Sequence, residues 1–294
     1  MKRPLRILLQ TTIAPDPDDW CIARFSLLGQ ALASMRDSAG NVLAEVSLRD
    51  REPGADGNDP VLCALHNSDF DELWLFAVDT GDGLSQPERE AITAFRERGG
   101  GILTTRDHQD LGSSLSSLGG VGAAHHFHSR NPEPDRERHM IDDPYTTDIT
   151  WPNYHSGANG DYQFVQPVGP VHEIFRNPHR PNGHIELLPA HPHEGAVGVP
   201  PGELNARVVA TGTSRITGRV FNLAVAFERG DGSPGGRAVA DSSFHHFADY
   251  NWDPSLGCPS FVTEPPGDGI IRESRALADT HAYVRNLALW LAPL

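Results

Sequence analysis

The chain has 294 residues and a formal net charge of −15, with 38% hydrophobic and 21% charged residues. This composition indicates a folded globular protein, and its acidity argues against a nucleic-acid partner because like charges repel. No apolar run approaches the roughly 20 residues that span a bilayer, and the first apolar run is too short for a signal peptide. The three cysteines are an odd number without paired spacing, so we predict a reducing, cytoplasmic setting without disulfides or membrane attachment.

The first half of the chain alternates predicted strands and helices. Asp18 and Asp19 suit a helix N-terminus, and apolar residues at helical spacing predict a helix over residues 20–35. In SQPEREAITAFRERGG, Ser85 as N-cap and Pro87 in the first turn predict a second helix. Apolar runs predict buried strands at residues 5–12, 42–50, 70–79 and 101–107. The alternation predicts parallel strands, whose ligands bind outside the carboxyl ends of the sheet.

The second half begins with an irregular segment. Residues from about 120 to 183 are rich in Pro, Asn, His and Asp, without sustained periodicity. Such a segment is either a loop that lines a site or a structured surface excursion, and we predict an insertion over the strand carboxyl ends. Further strands are predicted at residues 184–191, 206–214, 219–229 and 235–243, followed by a closing amphipathic helix at 279–294. The glycine-rich GDGSPGG lacks a P-loop lysine and a strand–helix context, so no nucleotide cofactor is indicated.

Four features in this order resemble the class I glutamine amidotransferase-like fold, and within it the trehalose-utilisation (ThuA-like) branch. They are DELWLFAVD followed by LSQPEREAITAFRERGGGILTTRDH, then HPHEG, GGRAVADSSFHHFADY and the closing LALWLA. The resemblance covers most of the chain outside residues 120–183. It implies an α/β fold with a flavodoxin-like, mostly parallel sheet, helices on both faces and antiparallel strands toward the C-terminus. We predict one such domain over residues 1–294.

The resemblance also implies what the chain does not do. Glutaminases of this family place a cysteine nucleophile at the turn after the fourth strand. Aligning His108 and Gln109 with the family's His-Gln places Thr105 at that position, or Arg106 after a shift of one residue. Neither is a cysteine, so the chain is predicted not to be a cysteine-dependent glutaminase.

The motif HPHEG permits three interpretations. His191 could be a base oriented by Glu194, as the remnant of a triad without its nucleophile. His191 and His193 in extended chain place both rings on one face, which suits a metal such as zinc or iron. In the third interpretation, Pro192 fixes a loop in which the imidazoles bond the backbone.

Two other strand ends carry candidate groups. In TTRDHQD, Asp107 or His108 could be a ligand or general base, and Arg106 could clamp a substrate anion, unless an Arg–Asp pair simply stiffens the turn. In SSFHHFADY, His245 and His246 are candidate metal ligands, or belong to a helical turn capped by a serine.

We predict an enzyme that hydrolyses a small polar molecule, a sugar derivative or an amide, by His/Asp acid–base chemistry with a divalent metal, zinc or iron, as candidate cofactor. The alternative is a non-catalytic carbohydrate-binding protein of the same fold. A homo-oligomer is a further possibility. The candidate substrate-binding residues are Trp151, Tyr154, His155 and Asp79.

Overall fold

The computed structural model of the chain describes residues 3–139, 142, 148–230 and 235–293. In these ranges the strands are β1 (Leu5–Thr11), β2 (Ala44–Arg49), β3 (Glu72–Phe76), β4 (Gly101–Thr105), β5 (His125–His126), β6 (Tyr162–Phe164), β7 (Gln166–Pro167), β8 (Leu187–Pro189), β9 (Ala196–Val197), β10 (Ala206–Thr213), β11 (Val220–Phe227) and β12 (Ala238–Asp241). The α-helices are α1 (Ser26–Ala33), α2 (Pro60–Cys63), α3 (Gln86–Glu97), α4 (Asp249–Trp252), α5 (Gly269–Arg272) and α6 (Ser274–Leu291). Among these helices, none combines the length and the apolar character needed to cross a bilayer.

Eight of these strands form one sheet in the order β2-β1-β3-β4-β12-β11-β10-β7. The first five are parallel to one another, and in chain order they follow the flavodoxin-like arrangement 2-1-3-4-5. From β12 outward the pairs β12–β11, β11–β10 and β10–β7 are antiparallel. The predicted fold class, mostly parallel with antiparallel strands toward the C-terminus, is confirmed.

The sheet is covered by helices on both faces, as predicted. Alternation along β1 sends Ile7 and Leu9 to one apolar core and Leu8 to the other. The first core includes residues of α1 and α6, and the second includes residues of α3. Burial on both sides explains why these strands are continuous apolar runs in the sequence.

Helix α3 begins where its sequence predicted. Ser85 Oγ accepts a hydrogen bond from the Glu88 backbone N–H, and the Glu88 side chain accepts one from the Ser85 N–H. Glu88 is also fully buried and pairs with Arg51 at 2.9 Å. The cap therefore also anchors the helix to the chain that follows β2.

Helix α1 begins later than predicted, and neither Asp18 nor Asp19 caps it. The Asp249 carboxylate accepts hydrogen bonds from the Ser26 and Leu27 backbone N–H groups at 3.1 and 2.8 Å, and from Ser26 Oγ at 2.6 Å. Asp18 instead accepts from Ser260. The cap comes from a residue far along the chain, which local sequence patterns do not reveal.

The irregular segment predicted over residues 120–183 joins both the sheet and the loops at its edge. Its strand β7 extends the main sheet beside β10, and β6 pairs with β8. The Pro152 carbonyl accepts a hydrogen bond of 2.8 Å from the Gln109 N–H, just after β4. The single-domain assignment stays a prediction, and GDGSPGG lies partly outside the described residues.

Replacing Asp249 with alanine is expected to lower the free energy of unfolding by about 1–2 kcal/mol, because the first turn of α1 loses its acceptor. Urea unfolding measures the change. The matched control is Asp253→Ala, since Asp253 caps a short surface 3₁₀ turn through the Ser255 N–H and Oγ. Equal losses in the two variants would contradict the special role given to Asp249.

Candidate functional site

A cavity of about 370 Å³ opens at the carboxyl ends of the parallel strands, where the alternation of strands and helices predicted a site. Polar groups from the ends of β3, β4 and β12 meet there with the loop that follows β8. The described residues that line the cavity are Asp19, Trp20, Val78, Thr80, Asp107, His108, Leu111, Ile149, Asn159, His191, His193, His245, Phe261, Val262, Thr263 and Glu264.

Asp107 and His108 follow β4 in a tight turn. The Leu111 N–H donates to the His108 carbonyl at 3.0 Å, which turns the chain back beneath the cavity. Gly195 of HPHEG lies directly against this turn. A Cβ atom on Gly195 would lie 2.6 Å from the Asp107 carbonyl oxygen and 2.7 Å from Arg106 Nε. Glycine at this position therefore allows the histidine-bearing loop to approach Asp107.

Two asparagines fix the protonation of the inner histidines. Asn251 Nδ2 donates to the Ala190 carbonyl at 2.9 Å and to Asn159 Oδ1 at 2.9 Å, which settles the orientation of both amides. The Asn251 oxygen then faces His245 Nδ1, and the Asn159 oxygen faces His191 Nδ1, each at 2.9 Å. Both Nδ1 atoms must donate, so a neutral ring at either position carries its lone pair on Nε2.

These lone pairs are directed at Asp107. His191 Nε2 lies 3.0 Å from Asp107 Oδ1, and His245 Nε2 lies 3.6 Å from Asp107 Oδ2. The His191 and His245 rings stack at 3.5 Å between centroids and 11° between planes. On the other side, His108 Nδ1 lies 3.2 Å from Asp107 Oδ2.

Burial and neighbouring groups shift the pKa values of His191 and Asp107. Burial and then the neighbouring His245 lower the pKa of His191 well below its ordinary value. Burial would raise the pKa of Asp107, but its interactions with His191 and His108 outweigh this effect and hold the pKa well below its ordinary value. Asp107 and His191 are therefore a coupled buried pair in which each group alters the pKa of the other. Asp107 Oδ1, His108 Nδ1 and His191 Nε2 are all buried without a hydrogen-bond partner among the described residues.

His193 lies at the same cavity but has different neighbours. Its Nδ1 is 3.3 Å from Asn153 Oδ1, and its Nε2 is 3.0 Å from Glu264 Oε1. Its ring centroid is 5.3 Å from those of His108 and His191. The predicted shared face of His191 and His193 is thus present, and Glu264 is an additional acidic group that sequence reasoning missed.

Glu194 and His246 form a second cluster behind the cavity rather than lining it. Glu194 is fully buried and accepts hydrogen bonds from Ser156 Oγ at 2.6 Å and Ser242 Oγ at 2.8 Å. His246 lies between two carboxylates, with Nδ1 2.7 Å from Asp241 Oδ1 and Nε2 3.4 Å from Glu194 Oε2. Burial lowers the pKa of His246, but Asp241 and Glu194 outweigh burial and raise it to about 10. This arrangement gives both predicted residues a supporting ionic role.

Arg106 was predicted to act on substrate, but its guanidinium is fully buried and does not line the cavity. It donates to the carbonyls of His126 and Gln109 and lies 4.1 Å above the Phe127 ring. Burial lowers its pKa to about 9. These contacts make Arg106 a brace for the turn after β4, but its partners are backbone carbonyls rather than the aspartate of the Arg–Asp pair that the sequence offered as the alternative.

The four predicted substrate-binding residues do not line the cavity, as far as the structure describes its walls. Trp151 stacks on His139 at 3.9 Å, and Tyr154 stacks on Phe221 at 4.9 Å. Asp79 accepts hydrogen bonds from the backbone and side chain of Ser114 and so holds a turn. The backbone N–H of His155 donates to Asp142.

The same irregular segment contributes other residues to the site, namely Ile149, Asn153 and Asn159. Sequence analysis missed Asn159 because an Asn beside Gly in an irregular stretch is typical of a turn, and Asn153, which follows a proline, gave no clearer signal. Trp20 was assigned to a helix, yet its ring meets His245 edge-on at 4.6 Å. No local signal distinguishes these residues from ordinary loop and core residues.

Comparison with solved structures finds similar folds at low identity. A cytoplasmic protein from Salmonella typhimurium is 11% identical with a TM-score of 0.48, covering 99% of this chain and 100% of that chain. A putative ThuA-like protein from Bacteroides uniformis is 9% identical with a TM-score of 0.45, covering 97% and 93%. The glutaminase domain of Trypanosoma brucei CTPS is 14% identical with a TM-score of 0.42, covering 96% and 94%.

These neighbours include ThuA-like proteins and class I glutamine amidotransferase domains, the group to which the sequence motifs pointed. At such identities the likeness concerns the fold alone. No family model and no curated protein sequence matches the chain.

Replacing His246 with glutamine is expected to destabilise the fold by about 3–5 kcal/mol, because two buried carboxylates lose the cation between them. Urea unfolding at neutral pH measures the loss. The double variant His246→Gln with Glu194→Gln should recover part of it, since one uncompensated charge is removed. A double variant less stable than His246→Gln would argue against the ionic account.

The same cluster predicts a pH dependence of stability. The pKa of His246 is about 10 in the folded chain and 6.5 as an ordinary histidine. The folded state therefore holds one extra proton between these values, and its contribution is complete below pH 6.5 and lost as the pH rises toward 10. We expect the difference in unfolding free energy between the wild type and His246→Gln to shrink from pH 7 to 9 by up to about 1.4 kcal/mol per pH unit. A difference that is constant over this interval would show that His246 is not a buried cation.

Proposed function

We propose that the chain is an enzyme that hydrolyses a small polar molecule in the cavity at the carboxyl ends of its parallel strands. The observation that supports this most directly is the convergence of Asp107, His108 and His191 with unpartnered atoms facing one another inside an open cavity. Buried polar atoms are normally satisfied, and exceptions in clefts mark sites where a ligand supplies the partner. The proposal agrees with the prediction of His/Asp chemistry.

The cavity lining supports water as the nucleophile. Its described residues include no cysteine or serine, and Thr80 and Thr263 would need a strong adjacent base to attack a substrate. A water molecule held at Asp107 and His191 could instead attack an electrophilic carbon. Its proton passes to this pair as the new carbon–oxygen bond forms, and the pair then returns that proton to the leaving group as the bond between this group and the carbon breaks.

The volume and walls of the cavity support a small substrate. A space of about 370 Å³ is in the range of small-molecule sites. Val78, Leu111 and Val262 provide an apolar surface, and the histidines and Asn159 provide directional polar groups. We assign the substrate to the class of small amides or sugar derivatives on this basis.

The alternative proposal is a protein that binds a carbohydrate without turnover. Trp20 and Phe261 both line the cavity, and Phe261 is 57% exposed, so aromatic surface is available to stack on a sugar ring. We further propose a cytoplasmic setting, in keeping with the free cysteines Cys21, Cys63 and Cys258. Assembly into a homo-oligomer stays a prediction.

Turnover on a panel of small amides, esters and glycosides tests the proposal. With any hydrolysed compound, Asp107→Asn and His191→Gln are each expected to lower kcat/KM by about 10²–10⁴-fold, because the proton acceptor is removed. The control His281→Gln changes an exposed histidine of α6 that does not line the cavity and should leave turnover unchanged. Saturable binding of a sugar without turnover would favour the alternative.

A further inference from the structure

The geometry points to a divalent transition-metal site whose ligands are Asp107 Oδ1, His108 Nδ1 and His191 Nε2. One ligand atom from each of these residues can be chosen so that all lie within 4.8 Å of one another. The inference deepens the proposed hydrolysis by naming its cofactor, and rests on that proposal for its role in catalysis. The binding of the metal itself rests on the cluster alone.

The facing atoms of Asp107 and His191 favour a cation between them. Asp107 Oδ1 and His191 Nε2 are 3.0 Å apart, and neither atom has a hydrogen-bond partner among the described residues. Asn159 accepts the proton of His191 Nδ1, so Nε2 of the neutral ring presents a lone pair to the carboxylate. Two lone pairs at this distance repel unless a cation or a proton lies between them. A metal that binds both atoms converts the repulsion into two favourable bonds.

The distances between the donor atoms can be compared with those in metal sites. Ligand bonds of about 2.1 Å place neighbouring donor atoms about 3.0 Å apart in an octahedral site and about 3.4 Å apart in a tetrahedral one. The contact of Asp107 Oδ1 with His191 Nε2 at 3.0 Å falls in this range, and His108 Nδ1 lies 3.2 Å from the other carboxylate oxygen, Oδ2. A small rotation of the carboxylate or of the His108 ring would bring the third donor atom to the same ion.

Neighbouring side chains fix the orientation of the His191 ring. Metal-binding histidines usually donate their other N–H to a fixed acceptor, which sets the ring and the tautomer. His191 has this acceptor in Asn159, whose orientation Asn251 fixes in turn. The stacked ring of His245 lies 3.5 Å from that of His191 and restricts its rotation.

The donor set determines the class of metal. Two imidazoles and one carboxylate suit zinc, iron, cobalt or manganese, whereas Mg²⁺ and Ca²⁺ prefer oxygen ligands throughout. Three protein ligands facing an open cavity leave positions for water and substrate, as in catalytic rather than structural sites. Such an ion supplies a Lewis acid and lowers the pKa of bound water toward 7.

The ligand set differs from the one predicted. Of the four histidines proposed from the sequence, His191 alone belongs to the group that the described residues bring together. His246 is enclosed by Asp241 and Glu194, and His193 faces Asn153 and Glu264.

The test is equilibrium dialysis of the chelator-treated full chain against Zn²⁺, and separately against Co²⁺, whose visible absorption reports its ligands. The wild type should bind one equivalent, with no competition from excess Mg²⁺ or Ca²⁺. Asp107→Asn and His108→Ala should each weaken binding by at least about 10–100-fold. The side chain of His108 is 20% exposed, so its truncation is the milder change, and thermal unfolding checks that both variants fold. His193→Gln, in the same cavity but outside the group, should retain the ion.

The outcomes separate the two proposals. A wild type that takes up no ion, or equal uptake by the wild type and both ligand variants, overturns the metal site. If His193→Gln loses the ion to the same extent as Asp107→Asn, the proposed ligand set is overturned. Turnover that persists after removal of the ion by the chelator overturns the catalytic role of the metal, while the hydrolase stands. A bound ion without turnover on any compound contradicts the hydrolase and leaves the metal site in place.

Discussion

The buried Asp107 carboxylate is the constraint around which the site is arranged. It lies at the end of the central strand β4, almost wholly removed from solvent. Burying a charge costs several kcal/mol unless hydrogen bonds or an opposite charge compensate for it. His191 and His108 offset this cost and hold the pKa of Asp107 well below its ordinary value, yet Asp107 Oδ1 keeps no hydrogen-bond partner among the described residues. A folded chain retains such an unmet demand where function requires it.

The backbone around HPHEG separates the histidines of the cavity from the buried cluster of Glu194 and His246. His191 and His193 lie on the cavity side of a turn at Pro192 and His193, while Glu194 is fully buried and does not line the cavity. Behind it, Ser156 Oγ donates to Glu194 Oε1 at 2.6 Å and accepts from the His191 N–H at 2.9 Å. The buried cluster of Glu194 and His246 thereby holds the backbone of the loop that carries His191.

The sequence predicted those features that depend on neighbours along the chain. The capping box of α3 and the apolar runs of the parallel strands are local patterns, and they placed Asp107, His108 and His191 at one edge of the sheet. It missed features that depend on distant residues, such as the Asp249 cap of α1 and the amide pair Asn159–Asn251. Arg106 shows why residue type and position are not enough to assign a role. An arginine at this strand end could either contact substrate or stabilise the turn. Its burial distinguishes the two roles, and the burial of a charged side chain is set by the tertiary structure.

The missing thiol changes what a histidine at this position can do. In the enzymes that the motifs resemble, a cysteine at the turn after the fourth strand is the nucleophile. Here Thr105 is buried in β4, and the next side chain, Arg106, is buried and donates a hydrogen bond to the Gln109 carbonyl. His191 Nε2 faces the Asp107 carboxylate, and the described residues that line the cavity include no thiol. The hydrolysis that we propose would therefore take its nucleophile from solvent, and a cluster of one carboxylate and two imidazoles is suited to hold a cation that activates water. A cavity lining without a thiol and the convergence of these three side chains are both consistent with direct attack by water rather than covalent transfer.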